Sequence, residues 1–224
     1  MEESYFLKVV EEGGGRSLLS LADTVDLDWR GKDGATVLHH LASEGSEDAV
    51  RRLLDRGSSV DARDGDGLTA LDYAAYRGRE AVVRLLLERG ADVKAKDGHG
   101  DGVLLNAVSR AMLDEEPSRR ALVLLLLEQG CDVNSHGEDG QSVLHLAVSR
   151  ADISVVQLLL ERGADVDAAG GESLATPLYS AVVASRSWRK FGLLLYHGAS
   201  VDARNVYGHT VWQALCAGKD RMRY

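Results

Sequence analysis

Several features that define common protein classes are scarce in this chain of 224 residues. Its two cysteines, Cys131 and Cys216, are too few for a disulfide framework and suit a reducing compartment. The longest apolar run, residues 121–127, is far shorter than the ~20 residues that a membrane helix needs. The acidic N-terminus lacks the basic and long apolar regions of a signal peptide. We therefore expect a cytoplasmic or nuclear protein that does not insert into a membrane.

Aromatic residues are also rare, at 5% of the chain, although 45% of all residues are hydrophobic. A core made mainly of Leu, Val and Ala suits thin helices that stack closely. The formal net charge of -9 argues against a general nucleic-acid binder, because such proteins are usually basic.

Sequence signals of catalysis are missing as well. There is no G-x-S-x-G, and the glycine-rich runs at 13–17 and 98–102 lack the lysine and the strand context of a phosphate loop. No set of His, Cys, Asp and Glu has the spacing of metal ligands. The sequence thus predicts a protein that is not an enzyme and that needs no cofactor or metal.

What the chain does have is a repeat. The stretch R-E-A-V-V-R-L-L-L-E-R-G-A-D-V at 79–93 recurs at 154–166 and 120–133, and more loosely at 47–60 and 189–201. A second series of glycines, Gly34, Gly67, Gly100, Gly140 and Gly208, runs in steps of 33, 33, 40 and 68, and Leu174 replaces the glycine within the last step. A fixed period of this length is typical of stacked repeats.

Each repeat carries the signals of two helices. A T-x-L-H tetrapeptide or a variant of it follows each glycine, at 36–39, 69–72, 102–105, 142–145, 176–179 and 210–213. Its Thr or Ser can cap a first helix. The L-L-L segment predicts a second helix, and a glycine after it suits the left-handed position that ends a helix: Gly57, Gly90, Gly130, Gly163 and Gly198. One such unit cannot bury its own apolar face, but a stack can.

These motifs resemble those of ankyrin repeats. The resemblance lies in G-A-T-V-L-H-H-L-A (34–42), G-L-T-A-L-D-Y-A-A (67–75), G-Q-S-V-L-H-L-A-V (140–148) and T-P-L-Y-S-A-V (176–182), and it covers residues 20 to 218. It implies an all-α solenoid of helix-turn-helix units joined by short β-hairpin arms. We expect an N-terminal helical cap at 1–28, with helical patterns at 4–10 and 16–22, then five repeats at 29–204 and a truncated repeat at 205–224.

The sequence departs from the family pattern in several places. Only Pro177 occupies the proline position of the family, and seven extra residues around 112–119 fall between the two helices of repeat three. Pro117 suits the first position of the helix that follows them. The 168–174 hairpin is irregular, and the last unit lacks a second helix. Either the array ends on a half repeat or the chain is part of something longer.

The resemblance also implies structural roles for single residues. His39 and His145 are expected to tie neighbouring hairpins together by hydrogen bonds. Asn134 is expected to bond to the next hairpin, and it also resembles family asparagines that are hydroxylated. We expect Trp188 and Trp212 to be packing residues and the two cysteines to be small core residues.

The function that the resemblance implies is protein binding through the concave face. In the family, two positions of each repeat lie on that face. The first, four residues before each repeat glycine, is occupied by Arg30, Arg63, Lys96, His136 and Arg204. The second, ten residues after it, is occupied by Glu44, Arg77, Arg110 and Arg150. Arginine suits carboxylates and phosphates, so the rows predict an acidic or phosphorylated partner segment. The alternative is that aspartates of the same arms neutralise the rows.

Exposed aromatic residues could anchor the partner. Trp29 and Tyr207 fall in hairpin arms, Tyr76 lies beside Arg77, and His99 is another hairpin residue. Tyr, Trp and Arg are the residues that most often dominate binding energy. We expect a monomer. The alternative interpretation is a scaffold or regulatory domain of a larger protein, such as a channel, a ubiquitin-ligase adaptor or a signalling receptor.

Overall fold

The computed structural model describes residues 15–109, 116–171 and 173–220, and these residues are helical apart from turns and arms. The helices are α1 (Gly15–Thr24), α2 (Val37–Glu44), α3 (Glu47–Asp55), α4 (Ala70–Tyr76), α5 (Glu80–Glu88), α6 (Val103–Ser109), α7 (Glu116–Glu128), α8 (Val143–Arg150), α9 (Ile153–Glu161), α10 (Pro177–Val183), α11 (Trp188–Tyr196) and α12 (Val211–Asp220). Strand pairing in the described ranges is limited to isolated bridges in the arms, such as Arg30 with Thr36. The all-α prediction is confirmed.

The chain divides into two compact units, with the boundary after Ala107 inside α6. In the first unit, α2 packs against α4 in an inner layer, and α3 packs against α1 and α5 in an outer layer. In the second unit, α10 packs against α8 and α12, while α9 packs against α7 and α11. Each unit is therefore a two-layered stack of helix pairs.

The small inner-helix residues allow this close stacking. Leu71, Ala74 and Ala75 of α4 are buried, and so are Leu38, Leu41 and Ala42 of α2. The outer helices bury their Val and Leu side chains, for example Val82, Val83 and Leu86 of α5. The predicted apolar faces are thus the faces that pack.

The helix starts also follow the prediction. Thr36, Thr69, Ser142 and Thr176 are the N-cap residues of α2, α4, α8 and α10. The Thr69 side chain accepts a hydrogen bond from the Asp72 N–H, which satisfies one of the free donors of the first helical turn. Pro117 lies in the first turn of α7, close to its predicted place.

Leu174 takes the backbone conformation of the glycine that it replaces. The repeat glycines have positive φ angles, for example 81° at Gly67 and 76° at Gly140, and Leu174 has a φ of 45°. A branched side chain is unfavourable in this left-handed region, so Leu174 stores strain that the other repeats avoid. Its side chain is half exposed, so little packing offsets that strain.

The tips of neighbouring hairpins lie unusually close together in the first unit. The N–H of Gly65 donates to the carbonyl oxygen of Asp33 at 2.7 Å, and Gly98 donates to Asp66 at 2.7 Å. A Cβ atom at Gly65 would lie 2.7 Å from the Asp33 oxygen. Glycine is needed there because any side chain would push the two hairpins apart.

Three packing predictions are wrong. Trp188 is 68% exposed, Trp212 is 51% exposed, and Cys216 is exposed. The fourth residue expected in the core, Cys131, is partly buried. Trp188 begins α11 and touches buried Phe191 only edge-on, so most of its side chain stays exposed. At the start of α12 the buried residue is Val211, so the neighbouring Trp212 points away from the packed side.

Some predictions fall outside the described residues, namely the helical pattern at 4–10 and most of the 112–119 insertion. Within the described ranges, none of the helices is both long enough and apolar enough to cross a membrane.

Candidate protein-binding site

The first two hairpins are joined by a buried histidine. The Thr36 N–H donates to Nδ1 of His39 at 3.0 Å, so the ring proton resides on Nε2. Nε2 donates to the carbonyl oxygen of Leu68 in the next repeat at 3.0 Å. Burial lowers the pKa of His39 below its usual 6.5, which favours the neutral ring that this arrangement requires. We call such a polar link between repeats a joint.

The second unit contains the same joint. The Ser142 N–H donates to Nδ1 of His145 at 3.2 Å, and Nε2 donates to the Ala175 carbonyl oxygen at 2.7 Å. Burial again lowers the pKa of the ring. The predicted role of His39 and His145 in tying hairpins together is confirmed.

A different joint follows where Asp72 replaces the histidine. Its carboxylate accepts from the Thr69 N–H at 2.9 Å and the Thr69 hydroxyl at 2.8 Å. The Asn106 side chain of the next repeat donates to the other oxygen at 3.1 Å. Burial raises the pKa of Asp72, because the charged form loses water. This joint thus links helix to helix, whereas a histidine joint links a helix to a hairpin.

Asn134 forms a further link of the kind that was predicted for it. Its Oδ1 accepts from the Asp165 N–H at 2.8 Å, and its Nδ2 donates to the Gly163 oxygen at 3.4 Å. Its hydroxylation stays a prediction.

Sequence reasoning missed two residues whose side chains also accept a hydrogen bond from a backbone N–H of the next repeat. Asp61 accepts from the Asp92 N–H at 2.9 Å, and Asp167 accepts from the Ser200 N–H at 2.9 Å. The signal was available in the sequence, because an Asp or Asn stands four residues after Gly57, Gly130 and Gly163.

The row of cations in the hairpins is partly used by the stack itself. Nη1 of Arg30 donates to the carbonyl oxygens of Gly34 and Arg63, both at 2.8 Å. Nη1 of Arg63 donates to Gly67 at 3.0 Å and to Lys96 at 2.5 Å, and Lys96 Nζ donates to Gly100 at 2.8 Å. The exposed side chains of Arg30 and Arg63 therefore act as struts between hairpins, whereas Lys96 bonds within its own hairpin. All three retain only part of their hydrogen-bonding capacity.

Hairpin aspartates do not form ion pairs with these struts in the described part of the chain. Asp64 Oδ1 accepts from the N–H groups of Asp66 and Leu68, and its Oδ2 accepts from the Tyr73 hydroxyl at 2.9 Å. Asp97 binds the N–H groups of its own turn in the same way. The aspartates stabilise the turns of their own hairpins and do not neutralise the row of hairpin cations by direct ion pairing among the described residues.

The second row differs between the units. Arg77 ends α4 and is exposed, and among the described residues its side chain makes no hydrogen bond or ion pair. Tyr76, beside it, is 41% exposed. In the second unit, Nη1 of Arg150 donates to the Ser109 carbonyl oxygen at 3.3 Å. Arg110 lies outside the described residues.

The remaining predicted contact residues lie in the arms of the repeats. His99 and His136 are exposed, and Tyr207 is 71% exposed near the ring of His209. Trp29 is half-buried, with its ring 6.0 Å from that of His40. Nη1 of Arg204 donates to the Gly208 oxygen at 2.6 Å. None of the groups of acidic, His and Cys side chains in the described ranges could hold a metal ion.

The geometry defines a class of two-layered helical repeat proteins with hairpin arms, and comparison gives the family. A family profile described as ankyrin repeats (3 copies) matches residues 9–97 and 111–205. The crystal structure of the human ASB11 ankyrin repeat domain is similar, with a TM-score of 0.80 and 26% identity over 93% of this chain and 90% of that chain. A comparison with curated proteins gives no match.

The chain belongs to the ankyrin-repeat family. Ankyrin repeats are generally protein–protein interaction modules. The resemblance on which the sequence analysis relied is therefore confirmed.

Proposed function

We propose that this chain binds a partner protein through the inner-helix ends of its repeats, without catalysing a reaction. The partner segment is acidic or phosphorylated. The observation that carries the proposal is Arg77, an exposed guanidinium at the end of α4 that forms no hydrogen bond or ion pair with the described residues.

The surroundings of Arg77 support a contact role. Its neighbour Tyr76 supplies an exposed aromatic ring, and Tyr and Arg together are typical of residues that dominate binding energy. The stack that carries them is fixed by the joints at His39 and Asp72, so little order has to be gained on binding.

Acidic or phosphorylated ligands fit the chemistry of this position. A guanidinium presents paired N–H donors that match the oxygens of a carboxylate or phosphate. Arg30, Arg63 and Lys96 keep their charges while bonding to carbonyl oxygens, so they favour the approach of an anion without each having to bind it.

The experiment is a titration of the full chain with peptides rich in Glu or phosphoserine that contain no apolar residues. We expect Arg77→Glu to weaken binding about tenfold or more, because an attraction becomes a repulsion. Arg84→Glu is the matched control: it makes the same charge change on α5, where Arg84 pairs with Glu80 at 2.7 Å.

Equal losses in the two variants would show that net charge alone attracts the peptide, and binding that neither variant changes would remove the Arg77 site. Arg150→Glu tests the corresponding position of the second unit. We expect a smaller loss there, since the Arg150 side chain already has a partner in Ser109.

We further infer that the chain acts as a monomer in the cytoplasm or nucleus. Light scattering of the purified chain at several concentrations tests the monomeric state, and microscopy of the tagged chain tests the localisation.

The alternative interpretation is a scaffold or regulatory module within a larger protein. The description of the similar human structure as a domain favours it. Sequencing the transcript on both sides of this chain tests it.

A further inference from the structure

The outer helices of four repeats have the same length and expose the same three positions. The first, fifth and ninth residues of a nine-residue helix lie on one side, because an α-helix has 3.6 residues per turn. These positions hold Glu47, Arg51 and Asp55 in α3, Glu80, Arg84 and Glu88 in α5, Ile153, Gln157 and Glu161 in α9, and Trp188, Gly192 and Tyr196 in α11.

In the other three helices this row is polar apart from Ile153, and two of its members pair within each helix. Arg51 pairs with Glu47 at 2.7 Å, and Arg84 pairs with Glu80 at 2.7 Å. In α9, Gln157 donates to Glu161 at 2.8 Å. Such pairs keep an outer helix soluble and support it locally.

In α11 the row is aromatic and has a gap at its centre. Trp188 is 68% exposed and Tyr196 is 85% exposed. Between them Gly192 is exposed, and an added Cβ there would have no atom within 4 Å. A glycine within a helix lowers its stability, and here neither crowding nor backbone conformation requires one. We call Trp188, Gly192 and Tyr196 the α11 face.

Stacking of repeats does not account for Trp188 and Gly192. Leu160 is buried in α9, which packs against α11. The residue at the same position of α11 is Leu195, which is 36% exposed. The side of α11 that faces a following repeat therefore includes Leu195, and it adjoins the α11 face at Tyr196, because Asp55 at that position of α3 pairs with Arg89 of the next repeat at 2.8 Å. Trp188 and Gly192 occupy the first and fifth positions, which in α3 and α5 pair within their own helix.

Each ring of the α11 face contacts one neighbouring ring. The Trp188 ring contacts buried Phe191 edge-on, with centroids 5.4 Å apart, and Tyr196 contacts His197 with the same separation. Eight residues of helix put the two aromatic residues about 12 Å apart along the axis. The bare backbone at Gly192 therefore lies in a shallow notch between two aromatic rings.

The charged side chains of the segment 185–197 are all of one sign. Residues 185–197 include Arg186, Arg189 and Lys190 but no Asp or Glu, in contrast to α3 and α5. Lys190 Nζ is occupied by the Val148 carbonyl oxygen at 2.7 Å, whereas Arg189 and Arg186 are exposed. A ligand that combines apolar and acidic groups would complement both the rings and the arginines.

We propose that the α11 face binds a short amphipathic helix of a partner protein. One aliphatic side chain of that helix lies over Gly192 between the rings of Trp188 and Tyr196, and an acidic residue reaches Arg189. Absence of a side chain at Gly192 lets the two helix backbones approach closely, and the aromatic rings supply the contact area. This surface is separate from the Arg77 site.

The test uses the full chain and two displayed libraries of 16-residue peptides. Both libraries carry Leu or Ile at i, i+3, i+4 and i+7, and the other positions are acidic in one library and basic in the other. The key variant, Trp188→Glu with Gly192→Arg and Tyr196→Glu, gives α11 the exposed row of α5 and changes no buried residue. We expect it to fold with a denaturation temperature at or above that of the wild type.

We expect acidic peptides to be enriched on the wild type and to bind the triple variant about tenfold or more weakly. Gly192→Arg alone fills the notch, keeps both rings and should cause a similar loss. Arg189→Glu should also weaken binding, whereas Arg77→Glu should not. The Gly192 amide and the Trp188 indole N–H should shift in NMR spectra when the peptide is added.

Three results would overturn the proposal. The first is equal enrichment of acidic and basic peptides, and the second is equal binding by the wild type, the triple variant and Gly192→Arg alone. The third is a concentration-dependent dimer of the wild-type chain that the triple variant abolishes in light scattering, because a second copy of this chain would then be the occupant.

Discussion

Two neighbouring joints in the first unit solve the same problem with different chemistry. At the first joint, the neutral ring of His39 accepts a hydrogen bond from the Thr36 N–H and donates one to the Leu68 carbonyl oxygen of the next hairpin. At the second joint, the Asp72 carboxylate collects donors from Thr69 and from Asn106 of the next repeat. The difference teaches that the stack requires a satisfied polar link at this position and accepts either a donor or an acceptor.

The largest expected effect comes from removing the histidine. His39→Ala leaves the Thr36 N–H and the Leu68 oxygen without their buried partner and opens a cavity, so we expect the free energy of unfolding to fall by about 3 kcal/mol. Asp72→Ala should cost about 1–2 kcal/mol, because removing a buried carboxylate also removes its desolvation penalty.

Urea denaturation followed by circular dichroism measures both losses. His136→Ala, at an exposed hairpin position, is the control and should change the free energy of unfolding by less than about 0.5 kcal/mol. A loss for Asp72→Ala that exceeds the loss for His39→Ala would reverse the comparison between the joints.

The next effect concerns the hairpin contact that lies beside the first joint. Gly65→Ala puts a methyl group 2.7 Å from the Asp33 oxygen and disturbs the hydrogen bond that Gly65 donates to it. We expect a loss of about 2 kcal/mol in thermal denaturation. Gly192→Ala is the matched control in open space within α11, and it should gain about 0.5–1 kcal/mol. A neutral result for Gly65→Ala would mean that the hairpins can separate freely.

The two joints should respond to pH in opposite directions. The folded-state pKa of His39 is below 6.5, so its contribution to stability is complete above pH 6.5 and is lost as the pH falls below that value. The folded-state pKa of Asp72 is above 3.8, so its contribution is complete below pH 3.8 and declines as the pH rises through the folded value.

Measuring the free energy of unfolding against pH for the wild type and for each alanine variant tests these signs. The penalty of His39→Ala should shrink on acidification, and the penalty of Asp72→Ala should grow. If the wild-type curve runs parallel to the curve of each alanine variant, neither group titrates differently in the folded and unfolded states.

The smallest effect concerns the histidine joint of the second unit. Its acceptor, the Ala175 oxygen, follows Leu174, whereas the acceptor at Leu68 follows Gly67. Leu174→Gly should relieve the strain of the left-handed backbone and stabilise the chain by about 0.5–1 kcal/mol in thermal denaturation. Gly67→Leu, the reverse change, should destabilise it. Destabilisation by Leu174→Gly would mean that the exposed leucine side chain contributes more than its backbone costs.

Much of the fold followed from the sequence because repetition makes each position readable several times. The phase of the repeats placed the caps at Thr69 and Ser142, and it identified Leu174 as the substitute for a glycine. The histidine links were likewise expected, since the family resemblance supplied their partners.

The remaining features could not be read from spacing, because they depend on what the neighbouring repeat presents. Asp72 accepts a hydrogen bond from Asn106 only because their two helices lie close together. The guanidinium of Arg63 donates hydrogen bonds to carbonyl oxygens of two hairpins. Trp188 and Trp212 were assigned to packing from their repeat positions, yet exposure depends on which neighbours cover them.

An NMR titration of the full chain with a phosphoserine peptide that lacks apolar residues tests whether fixed joints hold Arg77 ready to bind an anionic segment. We predict shifts at the amides of Tyr76 and Arg77 and at the guanidinium of Arg77, with the His39 and Leu68 amides unchanged. Shifts that spread through the His39 and Asp72 joints, or that bypass Arg77, would contradict this role of Arg77.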